Sequence, residues 1–291
     1  MKTKFLFSVF MLALFTSFPL FAQNEDGNGY EFTTVKRLDA TSVKNQYRSG
    51  TCWSFSGISL LESEMLRKGK EPVDLSEMWI VRHAYSKKAK KYVRFHGNIN
   101  FAGGGAFHDV TNMIEKHGIV PEEVYSGLEY GTDKHVHGEL DAVLKGYMDQ
   151  VIKNKNEKLT PAWHDGFNGI LDSYLGEKPK TFTYEGKEYT PESFADEFVE
   201  LNMDDYIELS SYTHHPFYSK FILEVPDNWA YGEVYNLPID EFMEVIDNAI
   251  MNGYTVAWAA DVSEKGFSWK NGVAIVPDKD IENLEGMERD K

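Results

Sequence analysis

Along the first half of the chain, apolar residues recur at helical spacing. Phe55, Ile58, Leu61 and Met65 fall three and four residues apart, which predicts a helix from Cys52 to Arg67. Gly69 marks its stop, with Arg67 and Lys68 in the last turn. Ser76 has the place of an N-cap for a second helix carrying Trp79, Ile80 and Val81. A third, shorter helix is expected after Gly103-Gly104-Gly105, with Val110, Met113 and Ile114 inward, ending at His117-Gly118 before Pro121. Residues 125–205 turn polar, rich in Lys, Glu, Asp and Tyr, with a turn signal at Tyr184-Glu185-Gly186-Lys187. This stretch reads as an insertion or subdomain. Strand-like runs come late, at 220–225 and 254–258, flanking a helix signal from Ile239 to Ile250. Helices first and strands afterwards predict an α+β protein with its helices segregated from a sheet.

The N-terminus breaks this pattern. Met-Lys-Thr-Lys leads into an apolar stretch from Phe5 to Ala22, the arrangement of a secretory signal, with cleavage expected after Ala22. Eighteen helical residues would span about 27 Å, but Ser8, Thr16, Ser17 and Pro19 make a poor membrane anchor. The mature protein is therefore expected to be secreted or periplasmic, with no membrane attachment. Residues 23–45 read as an extended polar lead-in to a domain filling the remainder, 23–291.

Composition narrows the function. The 291 residues include 46 acidic and 30 basic side chains, a formal charge of −16. Losing Lys2 and Lys4 with the signal takes that to −18 (28 basic minus 46 acidic). Such a balance argues against nucleic acid or an anionic membrane as partner. One cysteine, Cys52, excludes an internal disulfide and any cysteine-cluster zinc site. A lone thiol in an exported protein is either buried and inert or kept for its reactivity.

The neighbours of Cys52 favour reactivity. In Gln46-Tyr47-Arg48-Ser49-Gly50-Thr51-Cys52-Trp53-Ser54-Phe55 the cysteine sits in the first turn of the predicted helix, where unpaired N–H groups favour a thiolate. Gly50 allows backbone to approach the sulfur closely. The Gln46 side chain and the Cys52 N–H are candidates for an oxyanion hole.

This segment resembles the papain-like cysteine peptidases, whose nucleophile lies in Gln-x5-Cys-Trp-Ser/Ala-Phe. Gln46 and Cys52 fall on the glutamine and cysteine of that pattern. The earlier cysteine of the Cys-Gly-Ser/Ala-Cys-Trp/Tyr signature is missing here. Asp74-Leu75-Ser76-Glu77, Gly104-Gly105 and Gly118-Ile119-Val120-Pro121 match further landmarks, and the disulfide-free pattern with a long insertion most resembles the bleomycin hydrolase group of cysteine aminopeptidases. The resemblance is strong over about residues 40–125 and weaker over 205–262. It implies a papain-like fold, with Cys52 as nucleophile, Gln46 on the oxyanion, and Gly50, Trp53, Gly104 and Gly105 lining a peptide-binding cleft. It also implies peptide substrates, no cofactor, and a homo-oligomer. Relatives of that group are largely cytosolic, so an export signal departs from them.

A thiolate nucleophile needs an imidazole and a group to orient it. The expected interval of about 130–150 residues after Cys52 contains no histidine, and none follows His215. No Asn-Ser-Trp-Gly motif occurs. The expectation is a chain cut short of its histidine and asparagine. Endopeptidase action and a non-catalytic peptide-binding role stand as alternatives. The remaining signals read as ordinary: His164, His214 and His215 as surface or structural residues, His135-x-His137 as a solvent-exposed loop, and Lys87–Lys91 as a solvated face. Gly103–Gly105 lacks the Gly-Lys-Ser/Thr of a phosphate loop, Asp204-Asp205 has little support as a catalytic pair, and no metal site is expected.

Overall fold

The computed structural model describes residues 32–155, 158–264 and 266–274. The expected signal segment, 1–22, lies outside them. A compact unit begins at Leu38, and residues 38–46 carry no regular structure.

Helix α1 spans Cys52–Arg67 and buries Ile58, Leu61 and Met65, the face its spacing predicts. Helix α2, Glu77–Arg94, starts where Ser76 Oγ accepts the Trp79 N–H at 3.0 Å, the expected N-cap. It is buried almost all round, through Met78, Trp79, Ile80, Val81, Ala84, Tyr85 and Tyr92. A helix with so little free face stands at the centre of a bundle. Helix α3, Phe107–His117, ends at Gly118 as expected. Helices α4, Gly138–Ile152, and α5, Ala162–Leu175, close the bundle over α2 with Leu140, Leu144, Met148, Phe167 and Leu171. Arg82 of α2 is almost fully buried there. Its Nη2 meets Asp172 of α5 at 2.6 Å and its Nη1 meets Asn168 Oδ1 at 3.1 Å, the partners a buried guanidinium requires.

The turn signal at 184–187 becomes a hairpin of β1, Phe182–Tyr184, and β2, Lys187–Tyr189. Pro191–Phe194 forms one turn of α-helix, α6, continued by a π-turn to Val199. A three-stranded sheet follows: β3, Leu209–Ser210, β4, Lys220–Ile222, and β5, Glu233–Asn236. The order is β3-β5-β4, with β3 parallel and β4 antiparallel to β5, Phe221 opposite Val234. Helix α7, Ile239–Met251, and a short pair, β6 Phe267–Ser268 with β7 Val273–Ala274, complete the described chain.

Three expectations need correction. Residues 254–258 form no strand, because no strand among the described residues pairs with them; Trp258 is 74% exposed. His135 and His137 are buried, not in a solvent-exposed loop. Lys88 is 2% exposed, so the basic run is not a uniformly solvated face.

Candidate functional site

The loop before α1 is held from both sides of its backbone. Arg48 donates its N–H to the His135 carbonyl at 2.9 Å, and its own carbonyl accepts the His137 N–H at 3.1 Å. Inside the loop, the buried hydroxyls of Ser49 and Thr51 lie 2.5 Å apart. Gly50 has φ +67°, the left-handed region where a side chain is strained. This turn delivers Cys52 to the first residue of α1, exposed to solvent.

Thr51 O accepts the N–H groups of Ser54 and Phe55 at 2.9 and 3.3 Å. The Cys52 N–H has no hydrogen-bond partner among the described residues. Gln46 is half-buried, and its Oε1 is enclosed without a hydrogen-bond partner. One backbone donor is thus left open beside the thiol.

The glycine run forms a wall beside that loop. The indole N–H of buried Trp53 donates to Gly103 O at 3.0 Å. A Cβ on Gly105 would lie 2.7 Å from the Trp53 ring, so only glycine fits against the indole. The structure therefore brings Gly50, Trp53 and the glycine run together. Gly104 meets a residue the sequence did not single out: a Cβ there would overlap the carboxylate of exposed Asp227, itself held by Asn100 Nδ2 at 2.9 Å.

Lys88 fastens the wall from below. Its Nζ donates to Ala102 O at 2.7 Å and Gly104 O at 2.5 Å, and it lies 5.5 and 5.7 Å from the Tyr85 and Trp229 ring centres. Burial pushes its pKa down to about 8, opposed by the charges of Asp109, Asp227 and Asp141. Asp109, fully buried, accepts the Ala106 N–H at 3.0 Å and so caps α3; burial raises its carboxyl above the usual range. His108 pairs with Glu208 at 2.9 Å through Nδ1; burial opposes its protonation, but that carboxylate prevails and raises its pKa. Lys88 was hidden from sequence reading by its charged neighbours. Asp227 carried one signal, its place in the weaker resemblance over residues 205–262.

The histidines sit elsewhere. Among the described residues no imidazole is hydrogen-bonded to Cys52. His135 packs edge-on to Phe55 at 5.7 Å, and burial lowers its pKa; His137 is held down to about 4 by burial and then by His135. His164 contacts Ser86 Oγ at 3.0 Å. An open polar concavity of about 420 Å³, lined by Tyr125, Asp172 and Gly176 among others, includes none of the cleft residues.

A thiol at a helix start beside a tryptophan-backed glycine wall, in a helical layer followed by a sheet, defines an α+β fold of the papain-like class. PepW from Lactobacillus rhamnosis HN001 (DR20) has a crystal structure with this fold, at a TM-score of 0.60 and 20% identity, over 76% of this chain and 59% of that one. The Peptidase C1-like family matches residues 22–287, and the chain belongs to that family. In sequence it is similar to aminopeptidase C of Lactobacillus delbrueckii subsp. lactis, 25% identical over 275 residues, covering 79% of this chain and 60% of that protein. It is also similar to aminopeptidase W of the same organism, 26% identical over 250 residues, 73% of this chain and 56% of that protein. The chain thus spans about three fifths of the length of the curated relatives it matches.

Proposed function

We propose that the protein is a cysteine peptidase that removes residues from peptide N-termini, with Cys52 as the nucleophile. The observation that carries the reading is the exposed thiol at the start of α1, whose own N–H is unbonded among the described residues and which follows the strained Gly50 turn. In the proposed reaction the Cys52 sulfur bonds to the substrate carbonyl carbon. The oxyanion rests on the Cys52 N–H and the Gln46 amide. The thiol proton passes to an imidazole; among the described residues none is hydrogen-bonded to the sulfur. That imidazole then protonates the leaving amine as the C–N bond breaks, and water hydrolyses the thioester. Gly104 and Gly105 offer backbone to the substrate, while Trp53 holds their loop in place.

Asp227 favours end-trimming over internal cleavage. Its exposed carboxylate beside Gly104 is a counter-charge for the ammonium group of a peptide N-terminus. Export through residues 1–22, with cleavage after Ala22, is part of the same proposal; it rests on the Lys-flanked apolar stretch.

The test is hydrolysis of aminoacyl amides, assayed with the protein expressed from its own gene. Cys52→Ser is expected to abolish turnover and stop alkylation by a thiol-directed epoxide. Asp227→Asn is expected to raise KM about tenfold for substrates with a free amine, the size of a lost charge-assisted hydrogen bond, and to spare N-acetylated ones. Full activity in Cys52→Ser ends the peptidase reading. An equal effect of Asp227→Asn on blocked and free substrates ends the N-terminal one.

A further inference from the structure

We propose that His214, His215 and Glu224 form a binding site for a divalent transition-metal ion of the zinc class, separate from the Cys52 site. The Nε2 atoms of the two imidazoles lie 2.8 and 3.1 Å from one oxygen, Oε2 of Glu224. One ligand atom from each residue falls within 4.8 Å of the other two. Ligand atoms around a tetrahedral zinc, with bonds of about 2.0–2.1 Å, stand about 3.3 Å apart. The two nitrogen–oxygen separations thus lie within a few tenths of an ångström of that spacing, and the two nitrogens stand within 4.8 Å of each other.

The cluster is built, not scattered. His214 and His215 sit in the β3–β4 connection, and the fully buried Asn236 of β5 grips that connection at several points. Its Oδ1 accepts the Tyr212 N–H at 2.8 Å, while its Nδ2 donates to the carbonyls of Tyr212 at 2.8 Å, His215 at 3.0 Å and Pro216 at 3.3 Å. The His215 ring stacks on Phe221 of β4, centres 4.2 Å apart and 18° from parallel. The His214 ring stands edge-on to Tyr212 at 5.4 Å. Glu224 comes two residues after β4, so the antiparallel β4–β5 register fixes how far it stands from the imidazoles.

The blander reading is a pair of histidines sharing a surface carboxylate, an interaction worth at most about 1 kcal/mol. That reading gives no purpose to the Asn236 clamp, which orders the loop bearing both rings before any ligand arrives. The donor set selects the ion. Two imidazole nitrogens and one carboxylate suit zinc, cobalt, nickel or copper, whereas magnesium and calcium demand oxygen. With His214 and Glu224 exposed, the remaining coordination positions face solvent. An ion there would also tether the start of the turn that carries Asp227 to Gly104, three residues beyond Glu224.

The experiment is calorimetric titration of the full chain with zinc chloride, in a Cys52→Ser background so that the exposed thiol cannot take the ion. One zinc per chain is expected, with no magnesium uptake under the same conditions. His214→Ala and Glu224→Gln, both at exposed positions, are each expected to weaken binding at least about tenfold, with the circular dichroism spectrum unchanged. The absence of saturable zinc uptake overturns the proposal. So does uptake that neither substitution weakens.

Discussion

Helices α2 and α7 are both amphipathic in sequence and meet opposite fates. Helix α2 buries Met78, Trp79, Ile80, Ala84, Tyr85 and even Arg82 and Lys88. Helix α7 buries none of its side chains, and Met243, Val245 and Met251 stand 48, 43 and 57% exposed. Spacing alone forms a helix in both places; what differs is the cover. Around α2 that cover comes from α1, α3, α4 and α5, the near helices on either side in sequence and α5 some ninety residues on at Asp172. The same contrast separates the Cys52 loop, pinned and backed on several sides, from the exposed run at 254–258.

This difference predicts a graded response to substitution. The largest effect belongs to Arg82→Ala, which strands Asp172 and Asn168 and empties the centre of the bundle. It is expected to cost about 3 kcal/mol, the lower range for breaking a buried pair, since Asp172 is partly exposed. Urea unfolding would measure it. A loss below about 1 kcal/mol would place α2 in the same energetic class as α7 and break the comparison.

A pH effect comes next. Glu77, at the start of α2, has its pKa pushed up to about 8, chiefly by burial and further by Glu62 and Asp74. Glu122 is pushed up to about 9 by burial and then by Glu77. In each case the folded protein holds a proton that the unfolded chain releases near pH 4.5. The stability from neutral Glu77 is therefore present at low pH and lost as pH rises from 4.5 through about 8. Buried His83 and His137 and half-buried His117 act in the opposite sense, their stability lost as pH falls below 6.5. Glu77→Gln is expected to flatten the alkaline decline by at least about 1 kcal/mol and leave the acid limb as it was. Unfolding midpoints from pH 5 to pH 9 would show whether it does.

The smallest effect belongs to α7. Val245→Ala is expected to change stability by less than about 0.5 kcal/mol, because no core contact is lost. A cost of 2 kcal/mol would mean that this face is covered in solution, and an oligomeric-state measurement would then locate the cover.

The same contrast explains what sequence reading reached. Both ends of α1, the start of α2 and the end of α3 are legible in the sequence, because Gly69, Ser76 and Gly118 act on the few residues beside them. The run 254–258 has the composition of a strand, but a strand exists only with a partner, and partnership is not written locally. His135, His137 and Lys88 were misplaced for a related reason: polar residues are buried by remote neighbours that supply hydrogen bonds or packing. In the candidate site, Cys52, Gln46 and the glycines were visible as a motif. Asp227 was not, since its meaning depends on lying against Gly104, more than a hundred residues earlier.

The clasp on Arg48 bears on the order of folding. Its two hydrogen bonds join backbone nearly ninety residues apart in the chain, and closing a loop of that length costs on the order of 4 kcal/mol in chain entropy. Synthesis releases α1, with its thiol, long before residues 135–137 leave the ribosome. The turn holding Cys52 therefore cannot be clasped before residues 135–137 reach it. Slowing translation just before residue 135 should prolong the interval in which α1 exists without a finished turn in front of it.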